Sequence, residues 1–236
     1  MATSKHCFAF MVTILILGAA PHSSAANLSE LGLTDAQITD VTREMSVATW
    51  SEVTAEKFVS QYGDKAIPIL SEFALSSDYS VAIRGKAAAY LGKTHSPEVI
   101  PLIKQVIVDA MKTTKATDDW QGFQSALNGM GFVGTDQAVD YLKTIVSGDY
   151  FKTVSTIPTV KDSQYDTEKK MRQRIRESAL LSIGCAGTEY ASAYLHNRKA
   201  LPNDLPHSYL KAARKEARKR ASGEYLKDRE KYQPLS

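Results

Sequence analysis

An all-α fold of stacked helix pairs is predicted by three observations. A phrase recurs along the chain, its spacing is close to that of helical repeats, and each copy is followed by a second amphipathic segment. Ile83-Arg84 is followed by Ala87, Leu91 and Gly92, and Ile175-Arg176 by Ala179, Ile183 and Gly184 at the same offsets. Between them Phe123, Ala126, Met130 and Gly131 fill the same slots, with Phe in place of Arg. Self-similarity at a fixed period of this length is the sequence mark of a helical repeat array.

The first full unit starts with a helix over Ser80–Gly92, with Val81, Ala87, Ala88 and Leu91 turned inward. Ser96-Pro97 opens its partner, since Ser caps well and Pro is preorganised for the first helical position. There Val99, Ile103, Val106, Ile107, Ala110 and Met111 recur at three- and four-residue steps, which is one apolar helix face. In the second unit Asp118 with Gln121 reads as a capping box, and the helix it opens is expected to end near Gly131. Thr135 caps the next helix, with Ala138, Leu142 and Ile145 inward. The third unit repeats the second almost position by position, Gly184 to Glu189 answering Gly131 to Asp136.

Gly92 and Gly131 lie 39 residues apart, Gly131 and Gly184 53 apart. The excess of 14 predicts an insertion, and 148–165 has the Gly, Pro, Ser and Thr content for it. Upstream, Ala66 to Leu70 answers Val99 to Ile103 as a partial unit. Thr34 with Gln37 caps another helix carrying Ile38, Val41 and Met45. Such departures at the N-terminus suit the capping units of an array.

These residues resemble the HEAT-repeat superfamily, in particular the short HEAT-like repeats first associated with phycobilisome lyases. The resemblance covers about Thr54 to Lys199. It implies an armadillo-like α-solenoid of antiparallel helix pairs, with a concave groove of the kind used for protein partners. It also implies that Arg84 and Arg176 bond to neighbouring turns, a ladder that Phe123 interrupts.

Residues 1–26 read as an export signal. Lys5 and His6 precede an apolar run of 13 residues, Phe8 to Ala20, and small residues lead to Ala26. The run is too short for a membrane span. The expected organisation is thus a signal over 1–26, a repeat array over 27–200 and a basic capping helix and tail over 201–236. Export places the mature chain in a periplasm or outside the cell. There its single cysteine, Cys185, cannot form an internal disulfide, and a shielded thiol at a helix end is the expected state.

Charge is unevenly spread. Residues 27–210 hold 19 Lys and Arg against 22 Asp and Glu, and residues 211–236 hold 9 against 4. Lys211, Lys215 and Arg218 share one helical face. The simplest reading is a solvated capping face; the functional one is attachment to an acidic partner or an anionic surface. Export disfavours nucleic acid. Arg172 belongs to a second basic cluster at a helix start. Trp120, Tyr150, Phe151 and Tyr165 are candidate interface aromatics, with folding back onto adjacent helices as the alternative.

No catalytic or cofactor motif emerges. Gly129-x-Gly131-x-x-Gly134 matches a dinucleotide fingerprint in form, but a helical stretch precedes it where the fingerprint needs a strand. Instead, the repeat assigns Gly131 and Gly134 to helix ends and turns. His95, His196 and His207 have no partner at ligand spacing. The expected function is therefore a non-enzymatic, cofactor-free adaptor that binds a protein through its concave surface. A small-ligand or enzymatic pocket near the insertion is the alternative. The signal reading is checked by mass spectrometry of the exported protein, which should begin at Ala26 or Asn27; an intact Met1 on the exported chain excludes it.

Overall fold

The computed structural model describes residues 28–113, 117–154, 157, 159 and 167–225. Residues 1–26, expected to be an export signal, and Tyr165 lie outside them. All regular structure among the described residues is helical. Ten α-helices follow in order: α1 (Asp35–Ser46), α2 (Glu52–Tyr62), α3 (Ala66–Leu75), α4 (Val81–Gly92), α5 (Ile100–Thr113), α6 (Thr117–Val133), α7 (Asp136–Ser147), α8 (Glu168–Ala186), α9 (Glu189–His196) and α10 (His207–Ala221). No described helix is long and apolar enough to cross a membrane.

The helix starts follow local chemistry. Thr34 and Gln37 form the expected reciprocal capping box of α1, and Ser51 and Thr54 form one for α2. Thr135 and Thr188 accept from the backbone N–H groups of Ala138 and Ala191, so corresponding residues cap α7 and α9. Ser96 differs from expectation. Its side chain caps nothing, and Pro97–Val99 form a 3-10 turn before α5.

Helix α4 packs on α6, α6 on α8 and α8 on α10, while α5, α7 and α9 each pack against the helices that flank them in sequence. The α4–α6 contact is backbone to backbone. A Cβ placed on Gly85 would lie 1.9 Å from the Gly122 carbonyl oxygen, and one on Gly92 would lie 2.1 Å from that of Gly129. In return, a Cβ on Gly122 would meet Val81 O at 2.2 Å and one on Gly129 would meet Ala88 O at 2.3 Å. Gly85 faces Gly122 and Gly92 faces Gly129, so the two helices run in the same direction. Each pair of glycines is seven residues apart, about two turns.

This corrects the role assigned to the repeat's glycine. Gly92, Gly131 and Gly184 are helical residues, and α6 continues beyond Gly131 to Val133. They are notches for the next helix: Gly131 receives Ser182 O, and Gly184 receives Ala213 O. The turn function belongs to Gly134 (φ +72°) and Gly187 (φ +66°), which take the left-handed conformation after α6 and α8.

The repeat's arginine ties layers together. Arg84 Nε donates to Ala74 O at 2.9 Å, and Arg176 Nε to Val146 O at 2.8 Å. Arg214 Nε donates to Leu195 O at 2.8 Å, a third instance of the contact that the sequence had not suggested. Each acceptor is the penultimate residue of the preceding helix, where carbonyls lack intrahelical partners. Arg84 also pairs with Asp109 at 2.7 Å, and Arg176 with Asp204 at 2.6 Å. By this contact α10 repeats the relation of α4 and α8 to the helices before them. In α6, the middle copy of the phrase, Phe123 is buried and packs against Trp120 instead, with ring centroids 5.4 Å apart.

A glycine inside a helix ordinarily gains up to about 1 kcal/mol when replaced by alanine. Gly122→Ala should show the opposite sign, a loss of about 3 kcal/mol or more in urea denaturation, because the added methyl meets backbone that must move apart. An unchanged or raised midpoint would refute the close packing of α4 on α6.

Candidate functional site at a charged helix junction

Helix α4 is buried nearly all round, yet it contains lysine. Lys86 is 1% exposed and Lys93 5%. Burial at this level is tolerated only where cations are paired and hydrogen-bonded. Both lysines meet the N-terminal helices. Lys86 Nζ donates to Glu44 O at 2.5 Å and Val47 O at 3.0 Å, and pairs with Glu44 Oε1 at 2.7 Å. It thereby satisfies carbonyls at the C-terminal end of α1, where a cation is favoured. Burial still holds its pKa below the ordinary lysine value, against the opposing pull of Glu44.

Trp50, in the connection from α1 to α2, packs edge-on against Tyr90 and Phe132 at 6.2 and 6.0 Å between centroids. Its Nε1 donates to Ser125 Oγ at 2.9 Å. The Tyr90 hydroxyl donates to Glu44 Oε1 at 2.6 Å, and its pKa is pushed up, first by burial and then by that carboxylate.

Lys93 closes the junction. Its Nζ lies 2.5 Å from Glu52 Oε2, 3.2 Å from Glu56 Oε1 and 4.0 Å from the Phe132 ring centre. Arg220 of α10 pairs with Glu52 Oε1 at 2.6 Å and with Glu216 at 2.7 Å. Its guanidinium lies 5.1 Å from the Phe132 ring centre and 4.5 Å from that of Tyr225, whose hydroxyl donates to Glu56. Burial would raise the Glu52 pKa, but the Arg220 hydrogen bond and the charges of Lys93 and Arg220 outweigh it and hold it below the ordinary carboxylate range.

A cleft of about 250 Å³ opens at this junction, lined by Glu56, Lys93, His95, Phe132, Cys185 and Tyr225 among others. His95 sits at its exposed rim with φ +55°. The Cys185 thiol is pushed up to about 12, chiefly by burial. It therefore stays protonated at neutral pH and is a poor nucleophile. The cations here are engaged by the chain's own carboxylates, so the arrangement suits holding a helical segment. A second cleft, of about 230 Å³, lies between α1 and α2 around Asp40, Arg43, Glu44 and Tyr62. Neither cleft is lined by residues of 148–165. Among the described residues no cluster of three His, Cys, Asp or Glu suits a metal ion.

The residues singled out from sequence do not converge here. Trp120, Tyr150 and Phe151, candidate interface aromatics with folding back onto adjacent helices as the alternative, are buried, which is the alternative. Gly148 (φ +92°) turns the chain, and a 3-10 turn over Asp149–Lys152 folds Tyr150 back edge-on against Tyr141 at 6.0 Å. Burial raises the pKa of both hydroxyls. Arg172 Nε is bonded to Glu168 at 2.9 Å, and its guanidinium sits 5.2 Å from the Phe151 ring centre. Lys211, Lys215 and Arg218 are exposed on α10, as expected of a polar face. Sequence reading passed over Trp50, Glu52, Glu56, Lys86 and Lys93. The available signal was Lys86 within Gly85-Lys86-Ala87-Ala88-Ala89, a charge in a segment with no other polar face.

Glu52 links this junction to pH. Its folded pKa lies below the ordinary value of 4.5, so its contribution is complete above that value and is lost as pH falls through the folded one. Glu52→Gln should cost about 2 kcal/mol at neutral pH, since it leaves two cations short of a partner. In urea denaturation the gap between variant and parent should then narrow as pH drops below the ordinary carboxylate range. A gap independent of pH would exclude the ionised pair. No protein-family model, curated protein or solved structure matches this chain.

Proposed function

We propose that this chain is an exported, HEAT-like α-solenoid that acts as a protein-binding adaptor and not as an enzyme. Four layers would form it: α4 with α5, α6 with α7, α8 with α9, and α10. In this reading α4, α6, α8 and α10 line the inner side, and the N-terminal helices cap it.

The observation that carries the proposal is that one side of α4 and α6 already binds a helical segment, the chain's own α1 and α2. It does so with general recognition chemistry. Lys86 holds helix C-terminal carbonyls, Tyr90, Phe132 and Ser125 hold a tryptophan, and Lys93 with Arg220 holds two carboxylates. Aromatic and charged anchors of this kind dominate protein interfaces. The engagement of these cations by carboxylates also supports binding over catalysis, which needs groups left open to substrate. A partner would then meet the cleft rim around His95 and the inner side of α8 and α10, and not the part that α1 and α2 occupy.

Site-specific photo-crosslinking tests this in the native exported fraction. A benzophenone side chain at His95 should trap a discrete protein, whereas the same group at Glu189, exposed on α9, should not. Equal trapping at both positions, or none at His95, rejects the reading.

A further inference from the structure

The outward face of α10 breaks the pattern of the helices before it. Relative to the repeat's arginine, Lys215, Arg218 and Ser222 occupy the positions at which α4 presents Gly85, Ala88 and Gly92 to α6. A further helix cannot stack there without burying unpaired charge. A capping role would account for a polar face, as terminal caps are polar. It does not explain why the charge has one sign. Lys211, Lys215 and Arg218 are exposed at i, i+4 and i+7, a line about 10 Å long on one face. The only carboxylate of α10, Glu216, points elsewhere and is bonded to Arg220 at 2.7 Å. A cap selected only for solubility would interleave carboxylates, because aligned like charges at i, i+4 destabilise a helix.

We propose that this face of α10 docks the protein on an anionic lipid bilayer. Charge complementarity identifies the occupant, and the missing anchor selects lipid over protein. An Arg, Tyr or Trp hot spot sits in a desolvated pocket framed by aromatic or large apolar side chains. On α10 such residues are turned inward: Tyr209 and Leu210 pack on the core, and Ala213 and Ala217 are buried. What remains outward is a row of flexible point charges, which mobile headgroups can surround without a matching pocket. Attraction of this kind contributes incrementally per Lys or Arg and fades with salt.

Co-sedimentation of the full chain with vesicles is the test. At low salt the protein should bind phosphatidylglycerol–phosphatidylcholine vesicles, ignore pure phosphatidylcholine and be released by added salt. Lys211→Gln, Lys215→Gln and Arg218→Gln together should weaken binding by about a hundredfold, taking roughly fivefold per charge. Circular dichroism should be unchanged and the melting temperature should not fall, since the three side chains are exposed and their loss relieves mutual repulsion. Lys152→Gln, which removes an exposed lysine elsewhere, should leave binding as it was. Equal binding of the triple variant, equal binding to neutral vesicles or no binding at low salt would overturn the proposal. Capture by immobilised polyglutamate without vesicle binding would assign the face to an acidic polypeptide and overturn it equally. Crosslinking from His95 reads a different surface, so either proposal can fail without the other.

Discussion

Everything in this chain is arranged around the direct backbone contact between α4 and α6. Four glycines let two helices approach until the carbonyls of one occupy the space where side chains of the other would begin. Dispersion falls off steeply with distance, so an approach this close gains attraction along the whole contact without large side chains. The same approach removes the slack in which helices slide. Gly85 can face only Gly122, and Gly92 only Gly129, which sets the angular position of every other residue on both helices. Lys86, Tyr90 and Lys93 are thereby committed to one side of α4, and Phe132 is brought beside them from α6.

The arginine contacts tie α4, α8 and α10 to the ends of the helices that precede them. A helix end leaves carbonyls without intrahelical partners, and a buried end needs an external donor. Arg84, Arg176 and Arg214 supply it at equivalent places, and the first two carry an aspartate that balances the buried charge. In α6 Phe123 replaces the arginine, and apolar stacking on Trp120 takes over. The closest glycine contact among the described residues joins α6 to α4, so the helix without an arginine tie is held tightly by backbone packing.

Much of the helical plan was legible in the sequence because caps and apolar periodicity are local. The capping box at Thr34, the threonine caps at 135 and 188 and the left-handed glycines at 134 and 187 all depend on neighbours within a few residues. The glycine at 92, 131 and 184 was read as a helix end because Gly close after an apolar run ordinarily marks one; its real partner lies some 30 to 50 residues away, on another helix. The candidate site was illegible for the same reason. Glu52 is an ordinary first-turn acid of α2, and only the fold shows that it faces Lys93 and Arg220. Arg214 was hidden by its company, since six basic residues in ten made it look like surface.

The junction also changes how the whole chain holds together. In a stack where each helix touches only its neighbours, stability is a sum of local terms, and the ends can fray independently. Here Glu52 bonds Arg220 across 168 residues, and Glu56 meets Tyr225 across 169. Helix α2 cannot be fully seated until α10 is in place, and α10 loses its best-paired arginine if α2 leaves. Opening either end therefore breaks contacts at the other, and the charged junction couples them. Contacts so distant in sequence are slow to form, because the entropy of closing the chain precedes any gain. What they provide is cooperativity that a row of neighbouring contacts lacks. That is why burying Lys93 and Arg220, costly in isolation, suits this position: the pairs are complete only when α2 and α10 are both folded.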